Sequence, residues 1–367
     1  MNQHALKTAL AGVCHWTWAD RFVRMAGPWR DVPLVLGYHR VVDDFARHAS
    51  GTMPAMLISA RMLERQLDWV ARRFRIVSLD ELGARLAAGA PAGHMAAVTF
   101  DDGYRDVYEH AFPLLKRKGI PAAVFVVTDL VGTSALQFHD RLHLLLARAL
   151  SRAPQRWSLA RLLQRAGVTP PVSERAHGPA DPIAMTTALL TRVCQADLVR
   201  VAGALEEDDP LTGAELEAMA PLSWDMLAEM ARHGIAIGSH TASHALLPNE
   251  TTTDRLRQTA ASRQALRRRL GIEARHFAYP SGAFDRESVE AVRAAGYDFG
   301  YTTCRHRDPG HALLTIPRTL LWERSAMDGR GEFSPSLMGC LANGLLPLAS
   351  RCRERHDGPA TSAARAS

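Results

Sequence analysis

The chain is poor in cysteine, and the few it has are not placed to pair. Cys14, Cys194, Cys304, Cys340 and Cys352 are five in 367 residues, odd in number, far apart and without a CxxC spacing. This excludes a disulfide framework and a cysteine-rich zinc site, and it suits a reducing compartment. Long apolar runs are missing as well. No stretch of about 18 apolar residues occurs, so a membrane-spanning helix is not expected. The opening "MNQHALKTALAGVCHWTWADRFVRMAG" has neither a charge-free apolar core nor a cleavage site. It reads as an amphipathic helix within residues 1–30 and not as a signal peptide. A cytoplasmic protein is expected, with peripheral contact at the inner membrane left open through that helix. Nucleic-acid signatures are also absent. The net charge of +6 comes from arginine spread along the chain, and clusters such as Arg72-Arg73 and Arg267-Arg268-Arg269 sit in helical patterns that read as solvated faces.

What is present is a globular pattern, 47% hydrophobic and 22% charged, enough for a sizeable core. Short apolar runs alternate with amphipathic stretches, which predicts an α/β protein with a largely parallel sheet. Strands are expected at 33–39, 74–79, 95–100, 121–127, 235–240, 275–280, 298–303 and 312–321. Helices fit at 61–73, 80–88, 105–118, 223–233, 253–270 and 285–295, with Gly119 and Gly234 as stop residues after two of them. From about 130 to 222 the rhythm breaks. "DRLHLLLARAL" and "SLARLLQRAG" are helical in period, and the interval reads as a helical insertion, a lid or a partner surface. Residues 326–367 read as a C-terminal helix followed by a tail, "SRCRERHDGPATSAARAS", that is disordered by composition.

Three short motifs carry chemistry, each at the C-terminal end of an expected strand. In "VTFDDGY" two adjacent carboxylates, Asp101 and Asp102, precede Gly103. Taken alone, such a sequence fits an ordinary turn. In "GSHTASH", His240 and His244 lie at i and i+4, which alone fits a helix face. Together they compose a set of two histidines and a carboxylate, the type that holds a catalytic metal while leaving positions open. One carboxylate is then free to act as a base, and the metal charge offsets the repulsion between the pair. In "HFAYPSGAFD", Pro280, Ser281 and Gly282 form a tight turn whose backbone N–H groups can face the site.

In this order, "TFDDGY", "SHTASH" and "FAYPSG" resemble the polysaccharide deacetylase family, the carbohydrate esterases that include chitin and peptidoglycan deacetylases. The resemblance covers roughly residues 33–130 and 220–322. It implies a distorted (β/α) barrel over 31–325, of seven strands, that removes acetyl groups from N-acetylated sugars with a divalent metal, Zn2+ first and Co2+, Ni2+ or Mn2+ as alternatives. Carried over by position, Asp101 is the general base, Asp102, His240 and His244 hold the metal, and the Ser281 backbone N–H supports the oxyanion. Two departures follow. No late "LxH"-like motif occurs, so the acid is assigned to His39 in "LVLGYHRV", similar to the "YH" opening of poly-N-acetylglucosamine deacetylases. The arginine that often orients the base is replaced by Ala278, and Arg318 in "IPRTLL" is the stand-in, with a surface arginine as the other reading. His139 and His143, also at i and i+4, read as a solvated helix face. The expected substrate is an N-acetylated sugar polymer or glycolipid. Two other readings stay open: a deformylase or other amide hydrolase on the same barrel, and a non-catalytic glycan-binding member.

Overall fold

Period-two alternation in the apolar runs produces strands covered on both sides, and their C-terminal ends converge on one mouth. The computed structural model describes residues 3–17, 19–26, 30–152, 158–169, 181–303 and 308–345. Its strands are β1 (Leu34–Tyr38), β2 (Arg40–Val42), β3 (Leu57–Ser59), β4 (Arg75–Ile76), β5 (Met95–Phe100), β6 (Ala123–Val126), β7 (Ala236–Ser239), β8 (His276–Ala278), β9 (Phe299–Thr302), β10 (Ile316–Pro317) and β11 (Thr319–Leu320). A nine-stranded sheet runs β10-β9-β8-β7-β6-β5-β1-β11, with β4 added to β5, while β2 and β3 pair separately. Every pairing is parallel.

The two ends of this sheet meet. β10 pairs with β9 and β11 pairs with β1, and only Arg318 separates them. The Arg318 N–H donates to the Thr302 carbonyl at 2.9 Å, and three residues on the Leu321 N–H donates to the Gly37 carbonyl at 2.8 Å. One extended segment therefore changes partner at Arg318 and brings the sheet nearly to closure as a (β/α) barrel. The sheet has nine strands and not the expected seven. The excess comes from that change of partner, which splits one segment into two strands, and from the short β4. β4 is cut off because Ser78 caps the next helix through the Glu81 N–H. The run expected as a strand from 312 begins instead in a 3-10 helix, Pro309–Leu314, started by the Asp308 carboxylate on the N–H groups of Gly310 and His311.

Alternate residues define two cores. Leu34, Leu36, Tyr38, Ala96, Val98, Phe100, Val124 and Val126 face the surrounding helices. Val35, Ala97, Ala123, Phe125, Ala278, Phe299, Tyr301 and Ile316 fill the interior. The surrounding helices start where the sequence supplies caps, among them Ser59, Ser223, Thr251 and Asp285, each accepting a bond from the N–H three residues on. The insertion folds around an apolar cluster of its own that includes Leu142, Leu146, Leu162, Leu189, Val201 and Leu205. At the other end of the chain, helices Gln3–Trp16 and Ala19–Ala26 stand in place of one N-terminal helix. Ala11 packs on Leu337 and Cys340 of the helix Pro335–Ala342, while Leu10, Val13, Trp16 and Phe22 are exposed. Among the described residues no helix is long and apolar enough to cross a membrane. The expected disordered tail lies outside the described residues.

Candidate active site

Asp101 continues the interior row of β5, two residues beyond Thr99 and four beyond Ala97, and so enters the barrel mouth. There it meets Arg318. The guanidinium donates to both carboxylate oxygens, Nη1 to Oδ1 and Nη2 to Oδ2, each at 2.7 Å. Nη1 also reaches the Thr99 hydroxyl at 3.1 Å, and the guanidinium lies over the Phe125 ring at 5.3 Å. Both partners are buried, Asp101 at 2% exposure and Arg318 at 5%. Small interior residues make the room. A Cβ on Gly37 would come within 2.4 Å of Leu320 and 3.7 Å of the Arg318 guanidinium. Burial pushes the Asp101 carboxyl up, but the Arg318 charge and bonds, together with His240 and His39, outweigh it and hold the group below the usual carboxylate range. Arg318 is thus not a surface arginine; it clamps Asp101 in a bidentate pair.

Asp102 breaks from the strand into the left-handed region, φ 71°, which turns its carboxylate away from Arg318 and into a group of imidazoles. Oδ1 lies 3.3 Å from His244 Nε2 and 3.5 Å from His240 Nε2, and Oδ2 lies 3.7 Å from His139 Nε2. Neither oxygen has a hydrogen-bond partner, although Asp102 is only 1% exposed. His240 explains why. Its Nδ1 is 2.8 Å from the Ala278 carbonyl, and a carbonyl only accepts, so Nδ1 carries the proton and Nε2 presents a lone pair to Asp102. Burial pushes the His240 pKa down to about 4, so the ring is neutral at neutral pH. An acceptor then faces an acceptor inside the protein, an arrangement that fits a cation between them. The spacing agrees, because a tetrahedral ion with bonds of about 2.1 Å separates its ligand atoms by roughly 3.4 Å. The donor set therefore fits a divalent metal.

Backbone strain marks the same place. Among the described residues, the non-glycine positions with positive φ are Asp102 (71°), Thr241 (67°), His244 (63°) and Ser281 (54°), and all four belong to the three motifs. Such positions cost of order 1–3 kcal/mol each and persist where the surroundings over-determine them. Ser281 is the exposed apex of a turn at the end of β8. Its carbonyl accepts from the Thr303 hydroxyl at 3.1 Å. His39 directly follows β1, and the Asp101 N–H donates to the Tyr38 carbonyl at 2.8 Å. Half-buried, it adds to the positive potential that lowers both Asp101 and Asp102.

One expectation is overturned. His139 and His143 are not on a solvated face: they are 4% and 7% exposed, and His139 belongs to the site. The insertion helix Phe138–Arg152 is pinned to the Asp102–Tyr104 turn. Gln137 Nε2 donates to the Asp102 carbonyl at 2.6 Å, the Tyr104 hydroxyl donates to Asp140 Oδ2 at 2.5 Å, and His139 Nε2 lies 2.8 Å from the same hydroxyl. A signal existed. His139 and His143 fall in one helical stripe with Leu142, Leu146 and Leu150, which marks them as facing inward. Thr99 was missed too, though its parity with Asp101 along β5 points to it.

A model of the family described as polysaccharide deacetylase matches residues 88–170 and 199–300, which together make up half of the chain. The chain belongs to the polysaccharide deacetylase family. Within this family, the poly-beta-1,6-N-acetyl-D-glucosamine N-deacetylase of Staphylococcus epidermidis is 30% identical over 115 residues, 29% of this chain and 39% of that protein. A Bacillus subtilis (strain 168) relative, YxkH, is 21% identical over 222 residues, 60% of this chain and 48% of its own length. The chain thus spans less than half the length of these curated relatives. The Streptococcus pyogenes deacetylase PplD, solved in complex with acetate, shares the fold with a TM-score of 0.53 at 16% identity, over 85% of this chain and 97% of its own. IcaB from Ammonifex degensii does so with a TM-score of 0.52 at 21% identity, over 85% and 97%. The motifs read in the sequence thus lie in a chain of the family they resemble.

Proposed function

We propose that this polysaccharide deacetylase family member is a metal-dependent hydrolase that removes the N-acetyl group from an amino sugar in a polysaccharide or a lipid-linked glycan. The observation that carries the reading is the buried Asp102 carboxylate, unpartnered on both oxygens and faced by the acceptor nitrogen of His240. Asp102, His240 and His244 would hold the ion, zinc being favoured by this nitrogen and oxygen set, with cobalt, nickel or manganese able to replace it. When bound, it would polarise the acetyl carbonyl and acidify a water molecule.

The rest of the chemistry falls to side chains of this chain. Asp101, ionised and held in one orientation by Arg318, takes the proton of the attacking water. The Ser281 N–H receives the oxyanion, a donor of a kind worth about 3 kcal/mol in other hydrolases. His39, at the end of β1 next to the strand that leads to Asp101, returns a proton to the leaving amine. The poly-N-acetylglucosamine deacetylase relative supports an N-acetylated amino sugar as substrate.

The test joins metal analysis to acetate release from N-acetylglucosamine oligomers and from a lipid-linked N-acetyl sugar. About one divalent ion per chain and acetate from either substrate are expected. An ion without acetate from any N-acetyl sugar would overturn the reaction. A protein that takes up no ion would overturn the site.

A further inference from the structure

We propose that His139, supplied by the helical insertion, is a fourth protein ligand of the ion held by Asp102, His240 and His244; this rests on the metal-dependent reading above. Asp102 addresses two different directions. Oδ1 faces His240 and His244, whereas Oδ2 faces His139 Nε2 at 3.7 Å. Among the described residues, Asp102, His139 and His244 form a ligand-competent group whose candidate atoms all lie within 4.8 Å of one another. The His139 and His240 rings flank the His244 ring, each with its centroid 5.0 Å away. Asp102 and His244 are common to the His139 side and the His240 side, and each of the four residues is at most 7% exposed.

His139 has an alternative partner, and this makes the inference specific. Tyr104 has a single hydroxyl proton, which goes to Asp140 Oδ2. Its oxygen can then only accept from His139, so without an ion the His139 Nε2 carries a proton toward Tyr104. Binding an ion exchanges that proton for a coordination bond. The proton moves to Nδ1 of the same ring, which stays neutral, and Tyr104 keeps its bond to Asp140. The helix carrying His139 need not move far, because Gln137 and Asp140 already fasten it to the Asp102–Tyr104 turn. The far end of the insertion is fastened to that turn as well: the Leu222 N–H donates to the Gly103 carbonyl at 2.8 Å, and the Arg105 N–H to the Ala220 carbonyl at 2.9 Å. An insertion anchored at both ends on the turn that carries Asp102 is placed to contribute a ligand. Three imidazoles and a carboxylate also suit ions that keep five or six ligands, so open positions remain for water and substrate.

The test compares metal-free wild-type protein with H139Q, H143Q and H240A. Zn2+ affinity is read by competition with a chromophoric chelator, and the visible absorption is recorded after Co2+ loading. H139Q is expected to bind Zn2+ at least tenfold more weakly and to change the Co2+ band intensity, because one ligand has gone. H143Q, one turn along the same helix, should match the wild type. In the Co2+-loaded wild-type protein, paramagnetically shifted imidazole N–H resonances should number three; this measurement stands even if H139Q does not fold. Wild-type affinity and absorption in H139Q, or two shifted imidazoles in the wild type, would overturn the inference while H240A still loses the ion. A wild-type protein that binds neither metal would instead overturn the metal-dependent reading itself.

Discussion

At the scale of single residues, the two neighbouring aspartates are separated by one dihedral angle. Asp101, one residue past β5 and still bonded to β1 through its N–H, stays with Arg318, while Asp102 turns to φ 71° and joins the imidazoles. Their roles should separate in the same way. Asp101→Asn is expected to retain the ion and lose at least 10²-fold in kcat, a usual share for a general base; loss of the ion in this variant would show that the division between the carboxylates is wrong. Arg318→Lys puts a point charge where a planar fork fitted both oxygens. Burial alone would raise the Asp101 pKa, and Arg318 is the main force holding it down. A weaker clamp lets that pKa rise, so the acid limb of the kcat/KM profile should move to higher pH, with stability lower by about 1–3 kcal/mol. An unmoved acid limb would mean that Asp101 does not govern it. His39→Ala should lower kcat with the ion in place, and unchanged turnover would move the acid elsewhere.

At the scale of elements, the site is a junction between a strand end and an insertion. Gly103 carries φ 77°, and a Cβ there would stand 2.9 Å from the Val126 Cγ1. Its carbonyl holds the Leu222 N–H. Gly103→Ala therefore strains the turn and pushes on β6 together. A loss of about 1–3 kcal/mol in denaturant unfolding is expected, accompanied by weaker metal binding because Asp102 is the next residue. Full metal affinity in this variant would show that the turn does not set the ligand position. The helix that follows carries a π turn at Val107–Ala111. Pro113 lacks the N–H that would bond to the carbonyl four residues back, so the ladder shifts register there.

At the scale of the molecule, four histidines among the described residues are buried and held below their ordinary pKa, in each case by burial first: His139, His143, His240 and His276. The unfolded chain binds protons near pH 6.5 that the native protein refuses, so the unfolded state gains as pH falls through that value. Each can cost up to about 0.7 kcal/mol between pH 7 and pH 6. The metal-free protein should lose stability over this range, by about 2–3 kcal/mol if all four contribute. Denaturant midpoints at the two pH values check this, and an unchanged midpoint would show that the native rings accept protons in place. The buried Asp101–Arg318 pair adds nothing to this window. A carboxylate held below its ordinary value contributes stability above its unfolded pKa, and that contribution is lost only at lower pH.

Much was legible in the chain because it depends on local rules. The short apolar strand runs and the left-handed stop at Gly119 follow from residues within a few positions of one another. The three motifs were legible because each closes a strand, and the ends of parallel strands share one mouth. Two things were decided only in three dimensions. Whether Arg318 faces water or Asp101 depends on how the sheet closes, since that residue sits where one segment leaves β9 for β1. Whether His139 faces water or Asp102 depends on where the insertion docks, 35 residues along the chain from Tyr104, to which it bonds. Pairings across such distances are chosen by the packing of the whole barrel, because a local sequence presents the same polar side chain to solvent or to a buried partner with equal ease.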